Sequence, residues 1–159
     1  MASETETQTN VRTRLARPPW QAGIVGGLLG GVVFGVMMTM ELRMVMEMAI
    51  PGMYGLSESL ELGWLIHLVH SAIFGVIFAM LLSIDTLRDV LDGGMKVTAA
   101  GIAYGLAVWV IAASIVMPLW VNAMMDMGES VPNFMPESAM GHAVFGAVLG
   151  ITYYVLATE

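Results

Sequence analysis

Residues 66–82 read "IHLVHSAIFGVIFAMLL", an uncharged run that holds two of the chain's three histidines, His67 and His70. Extended back to Leu62 and on to Ile84, it reaches the roughly 20 residues needed for a helix to cross a hydrocarbon core about 30 Å thick. Lipid offers a backbone no hydrogen-bond partners, so such a run satisfies itself as a helix. Three more runs share this character: 20–40, "WQAGIVGGLLGGVVFGVMMTM", then 97–121 and 138–157. The first is too long for a signal peptide, lies behind a polar tail and lacks a small-residue cleavage site. The expectation is an all-α integral membrane protein with four transmembrane spans, at about 20–40, 62–84, 97–121 and 138–157.

Composition agrees. Of 159 residues, 57% are hydrophobic and only 12% charged, where a soluble domain carries about 25% charged residues. Mean hydropathy is +0.77. The net charge of −7 leaves nothing basic over to neutralise phosphates, which argues against nucleic acid as a partner. The acidic excess suits a halophilic or acid-surfaced membrane protein. The 159 residues hold no cysteine, which excludes disulfides and thiolate chemistry. No phosphate-binding loop, kinase glycine loop or dinucleotide fingerprint occurs.

Basic residues set the expected orientation. Arg12, Arg14 and Arg17 precede the first span, Arg88 and Lys96 lie between the second and third, and only Arg43 falls on the other side. By the positive-inside rule both termini are cytoplasmic, in a cell membrane crossed several times. Residues 1–19 form a polar and basic tail, read as disordered, ahead of a single transmembrane domain over 20–159. The loops "MVMEMAIPGMYGLSESLE" (44–61) and "NAMMDMGESVPNFMPE" (122–137) then face outward. Trp20, Tyr54, Trp64 and Trp120 fall near span ends, where amphipathic rings favour the interface.

An aromatic followed by glycine recurs in every span: "VVFG" ending at Gly35, "AIFG" at Gly75, "IAYG" at Gly105 and "AVFG" at Gly146. Four residues before those glycines stand Gly31, Ser71, Gly101 and His142, with Gly27 and Gly150 extending the outer two stripes. Small residues one turn apart let helix backbones approach closely, which drives association where lipid supplies no hydrophobic incentive. The pattern predicts a compact up-down four-helix bundle with short loops, and is consistent with a two-by-two duplication.

Depth brings the unusual side chains together. His67 and His70 descend from the outer end of the second span, and His142 from the outer end of the fourth at nearly the depth of His67. Met37, Met38, Met40 and Glu41 lie at the outer end of the first span. Met117 lies near that of the third, where Pro118 is expected to kink or end the helix. One reading is a cofactor or metal site: His67, His70 and His142 as cofactor-binding residues, with Met37, Met117 and Glu41 joining His67 and His142 around a metal. Imidazole with thioether suits copper, and bis-imidazole or His/Met ligation suits a b-type haem. The other reading makes each histidine a hydrogen-bonded packing residue. Most of the sixteen methionines lie between Met37 and Met53 or between Met117 and Met135, as soft-metal ligands or as flexible fillers of irregular gaps. Glu41, Arg43 and Glu47 read as interfacial charges.

The segments "GGLLGGVVFGVMM" (26–38), "GWLIHLVHSAIFG" (63–75) and "SAMGHAVFGAVLGITY" (138–153) resemble those of a family of small four-span membrane proteins common in haloarchaea. The resemblance covers about residues 21–157 and implies fold and location without an activity. Relatives at times carry the label histidine kinase, and nothing in these 159 residues reads as the ATP-binding domain that label requires. The expected role is a structural or accessory subunit of a membrane complex and not a free-standing enzyme, with the bilayer, further subunits or copies of itself as partners. The alternatives are a haem- or copper-binding electron-transfer or metal-handling protein, and a small transporter or channel acting as an oligomer.

Overall fold

The structure, a computed structural model, describes residues 19–158. The tail expected over 1–19, with Arg12, Arg14 and Arg17, lies almost wholly outside the described residues. Among the described residues the elements are helical. Helix α1 spans Pro19–Glu41, α2 Leu60–Leu82, α3 Asp85–Val90, α4 Gly94–Met125 and α5 Pro136–Thr158. By length and composition α1, α2, α4 and α5 can each cross a membrane, which makes this a multi-pass helical membrane protein. Helix α2 starts at Leu60 and not Leu62 because Ser59 caps it, its Oγ accepting from Leu62 N at 3.2 Å.

The side-chain pattern is inverted relative to a soluble helix. On α2 the buried stripe is Gly63, His67, Ser71 and Gly75, while Leu65, Val69, Ile73 and Ile77 are exposed. Both stripes repeat every four residues, so they are faces of one helix. Small and polar groups point inward and branched apolar ones outward, where lipid would meet them.

Helix α1 packs along α2 on one side and α5 on the other, and α5 packs along α4. Glycine makes each crossing. A Cβ added to Gly27 would collide with the Ser71 carbonyl, and one on Gly31 would stand 2.5 Å from Ser71 Oγ. One on Gly30 would stand 2.8 Å from the Phe145 carbonyl oxygen, and one on Gly150 2.8 Å from that of Val97. Thus α1 uses Gly23, Gly27 and Gly31 toward α2, and Gly26 and Gly30 toward α5. Helices α2 and α4 are not packed along their lengths. They meet through side chains: the Tyr104 hydroxyl of α4 donates to the Phe74 carbonyl of α2 at 2.8 Å, and the Tyr104 and Phe78 rings lie 5.3 Å apart.

The segment after α1, expected as a loop, is largely helical. A π-helical turn at Val45–Ala49 leads into a helical turn at Ile50–Gly52. Met46, Ile50 and Met53 are buried, and the Met46 carbonyl lies where a Cβ on Gly63 would go. This hairpin roofs one end of the helices. That end is called the hairpin end below.

Pro118 does not end its helix. A proline has no N–H for the carbonyl four residues back, and here that carbonyl, on Ser114, accepts instead from Asn133 N at 2.8 Å. The preceding stretch Trp109–Val116 is wound as a π-helix, and regular helix resumes over Met117–Met125. The freed carbonyl thereby ties the 126–135 loop down onto α4. Asn122 reinforces it, donating from Nδ2 to the Glu129 carbonyl at 2.8 Å and accepting from Glu129 N at 2.6 Å.

Candidate functional site

A cavity of about 530 Å³ lies at the hairpin end, in the space where α2 and α4 fail to pack. Its walls follow from the sequence pattern. The aromatic rings of three of the four aromatic–glycine motifs, Phe34, Phe74 and Phe145, line it. The ring of the fourth motif, Tyr104, donates to the Phe74 backbone just beyond. On the α4 side the lining residues include Val108, Ala112, Ala113 and Val116, from the π-helical stretch or its edge, and Met117, Pro118, Trp120 and Val121 beyond it. Short side chains on a widened helix leave room that regular packing would fill. The hairpin and the 126–135 loop supply the roof, including Ile50, Met53, Met127, Glu129 and Asn133.

All three histidines line this cavity. His67 is buried, and its Nε2 lies 2.9 Å from the Gly31 carbonyl of α1. A carbonyl can only accept, so Nε2 carries the hydrogen and the neutral ring keeps its lone pair on Nδ1. His142 Nδ1 lies 2.8 Å from the Ser138 carbonyl one turn back, which fixes the opposite tautomer and leaves the lone pair on Nε2. Among the described residues neither lone-pair nitrogen has a hydrogen-bond partner. Both imidazoles stand edge-on to the Phe34 ring, with centroids 5.5 Å from it for His67 and 4.6 Å for His142. The two imidazole centroids are therefore no farther apart than those two lengths combined. That is inside the roughly 15 Å beyond which no single bound ion or haem iron could involve both.

His70, one turn along α2, belongs to the rim. Its Nε2 lies 2.6 Å from the Tyr54 hydroxyl, and the Tyr54 ring lies 5.1 Å from that of Trp120 on α4. Tyr54 thus bridges α2 and α4 at the hairpin end, as Tyr104 does deeper in.

The other residues expected at a metal divide. Met117 lines the cavity together with Met38, Met48, Met53 and Met135. Met37 and Glu41 do not line it: Met37 packs partly buried against the core, and Glu41 is exposed at the end of α1. Glu47 pairs with Arg43, Nε to Oε2, at 2.8 Å on the surface. Among the described residues no cluster of three or more His, Asp or Glu side chains is arranged to hold a metal ion. Sequence reasoning missed Phe34 as the ring joining the two histidines, and Glu129, whose Oε2 accepts from Asn133 Nδ2 at 2.9 Å. The carbonyl freed by Pro118 was the signal that some loop must return to α4.

Comparison with protein-family models, with curated proteins and with solved structures returns no match. The chemistry of the cavity itself is what bears on function.

Proposed function

We propose that this chain is a membrane-resident binding protein, not an enzyme, whose cavity takes up a small and mostly apolar molecule from the bilayer between α2 and α4. The observation that carries this reading is the cavity itself. Its volume of about 530 Å³ falls within the roughly 300–1,000 Å³ of small-molecule sites, which combine apolar walls with a few converging polar groups. A packing defect would be closed by larger side chains, whereas Ala112 and Ala113 face this space from a locally widened helix. Flexible methionines around the wall suit an adaptable binding surface. The hairpin end faces away from the cytoplasm in this reading, following the bias of basic residues. The role as an accessory component of a larger assembly, or of an oligomer, is compatible with it.

The test is saturable binding of an apolar ring compound by the protein in nanodiscs. Anthracene accepts energy from tryptophan, and Trp120 lines the cavity. Energy transfer should saturate at one anthracene per chain, and the paired substitution Ala112→Phe with Ala113→Phe should abolish that component. Transfer that rises without saturation, as simple partitioning into lipid would give, contradicts the proposal.

A second reading has its own support. Each of His67 and His142 has one ring nitrogen tied to a carbonyl, an arrangement that orients metal-ligating imidazoles, and thioethers stand beside them. Metal analysis and an absorption spectrum of the purified protein decide it: stoichiometric copper or a haem Soret band would displace the apolar-ligand reading.

A further inference from the structure

Resting on the cavity reading above, we infer that the ligand is an aromatic ring bearing a hydroxyl group, a phenol or quinol head carried on an apolar tail. Three observations converge on it. First, the two imidazole nitrogens that face the cavity without a hydrogen-bond partner among the described residues are acceptors. His67 Nδ1 and His142 Nε2 are lone pairs, because the opposite nitrogen of each ring is committed to a backbone carbonyl at 2.9 and 2.8 Å. An apolar ligand with no donor would leave them unsatisfied, while a ligand hydroxyl donates to either. Second, the surroundings favour a ring. Phe34, Phe74 and Phe145 offer edges and faces, and methionine sulfur makes favourable contacts with aromatic rings. Third, the cavity is walled by α2 and α4, which are not packed along their lengths and are bridged by Tyr54 of the hairpin and by Tyr104. A tail leaving there stays in lipid. Charged heads fit poorly: an anion would face lone pairs and Glu129, and no Lys or Arg lines the cavity.

The experiment displaces anthracene from the protein in nanodiscs with 4-heptylphenol or with 4-heptyltoluene, in which a methyl group replaces the hydroxyl at nearly constant shape. Concentrations are compared as mole fractions in the bilayer. The phenol should displace at about one-fifth the concentration of the toluene, the ratio expected of one net hydrogen bond. In His67→Phe or His142→Phe, at least one ratio should fall to near one. Equal potency of the two compounds in the unmodified protein overturns the hydroxyl assignment, whether or not the histidine variants fold. So does anthracene that binds saturably but yields to neither compound. Anthracene that never binds saturably is a different failure, that of the cavity reading itself.

Discussion

The crossing of α1 and α2 holds both the packing and the orientation of His67, so Gly31→Ala perturbs them together. An alanine Cβ there would stand 2.6 Å from Ser71 Cβ and 2.5 Å from Ser71 Oγ, against about 3.5–4.0 Å for carbons in contact. Ser71 cannot simply swing away, since its hydroxyl donates to the His67 carbonyl at 2.7 Å. The helices must separate by about 1 Å, at an overpacking cost of about 1–3 kcal/mol. The separation also stretches the bond from His67 Nε2 to the Gly31 carbonyl, worth about 1 kcal/mol. Against this stands the gain of about 1 kcal/mol from replacing glycine by alanine in a helix. The net is a destabilisation of about 1–3 kcal/mol. Thermal unfolding in detergent, followed by circular dichroism, should show a midpoint about 4–8 °C lower for a change near 2 kcal/mol. Leu29→Ala, at a residue that is exposed on the same helix, should change it far less. Adding Ser71→Gly removes the opposing Cβ and should recover part of the loss, a coupling that independent sites would not show. The reasoning is refuted if Gly31→Ala raises the midpoint, as helix propensity alone would make it do.

Other expectations follow from the same geometry. Met46→Ala should destabilise by about 2–5 kcal/mol, because Met46 is fully buried beneath the hairpin, whereas Met40→Ala, at an exposed position, should stay within about 0.5 kcal/mol; denaturation of the two variants side by side checks this. Asn122→Leu removes both bonds from its side chain to the Glu129 backbone, so hydrogen exchange of residues 126–135 should quicken while that of α1 stays unchanged. A tag inserted between Ser57 and Ser59 should label on intact cells and reporters at either terminus should not; labelling of the Ser57–Ser59 tag only after permeabilisation would invert the proposed orientation.

The spans were legible because lipid imposes one blunt requirement, a long run of apolar residues, and four runs meet it. Their ends were less so. The Ser59 cap moves α2 back to Leu60, and α4 runs past the expected stop at Val121 to Met125, where Asp126 turns left-handed and its N–H bonds to the Asn122 carbonyl. A Cβ on Gly31 would meet Ser71 of α2, and one on Gly105 would meet the His142 carbonyl of α5. Which helices would leave a gap was not legible. It depends on the π-helical winding of Trp109–Val116, a tertiary adjustment with no periodic signature. The convergence of His67 and His142 could be read from depth along the spans. Their meeting at Phe34 could not, because helix rotation is set by glycine contacts on α1 that act on two neighbours at once. Met37 and Glu41 were placed with the histidines by depth alone, and rotation puts them elsewhere. The segment 44–59 read as an outward loop rich in methionine, and its buried methionines, Met46 and Met53, are what pack it down.

The most direct measurement is a crystal structure of the protein grown with 1-bromo-4-heptylbenzene, using the anomalous signal of bromine. The account predicts one dominant bromine peak inside the cavity, in contact with Phe34 and between α2 and the Val108–Val116 stretch of α4. Bromine found only on outward faces such as the Leu65–Ile77 stripe, with the cavity closed by its own side chains, would contradict it.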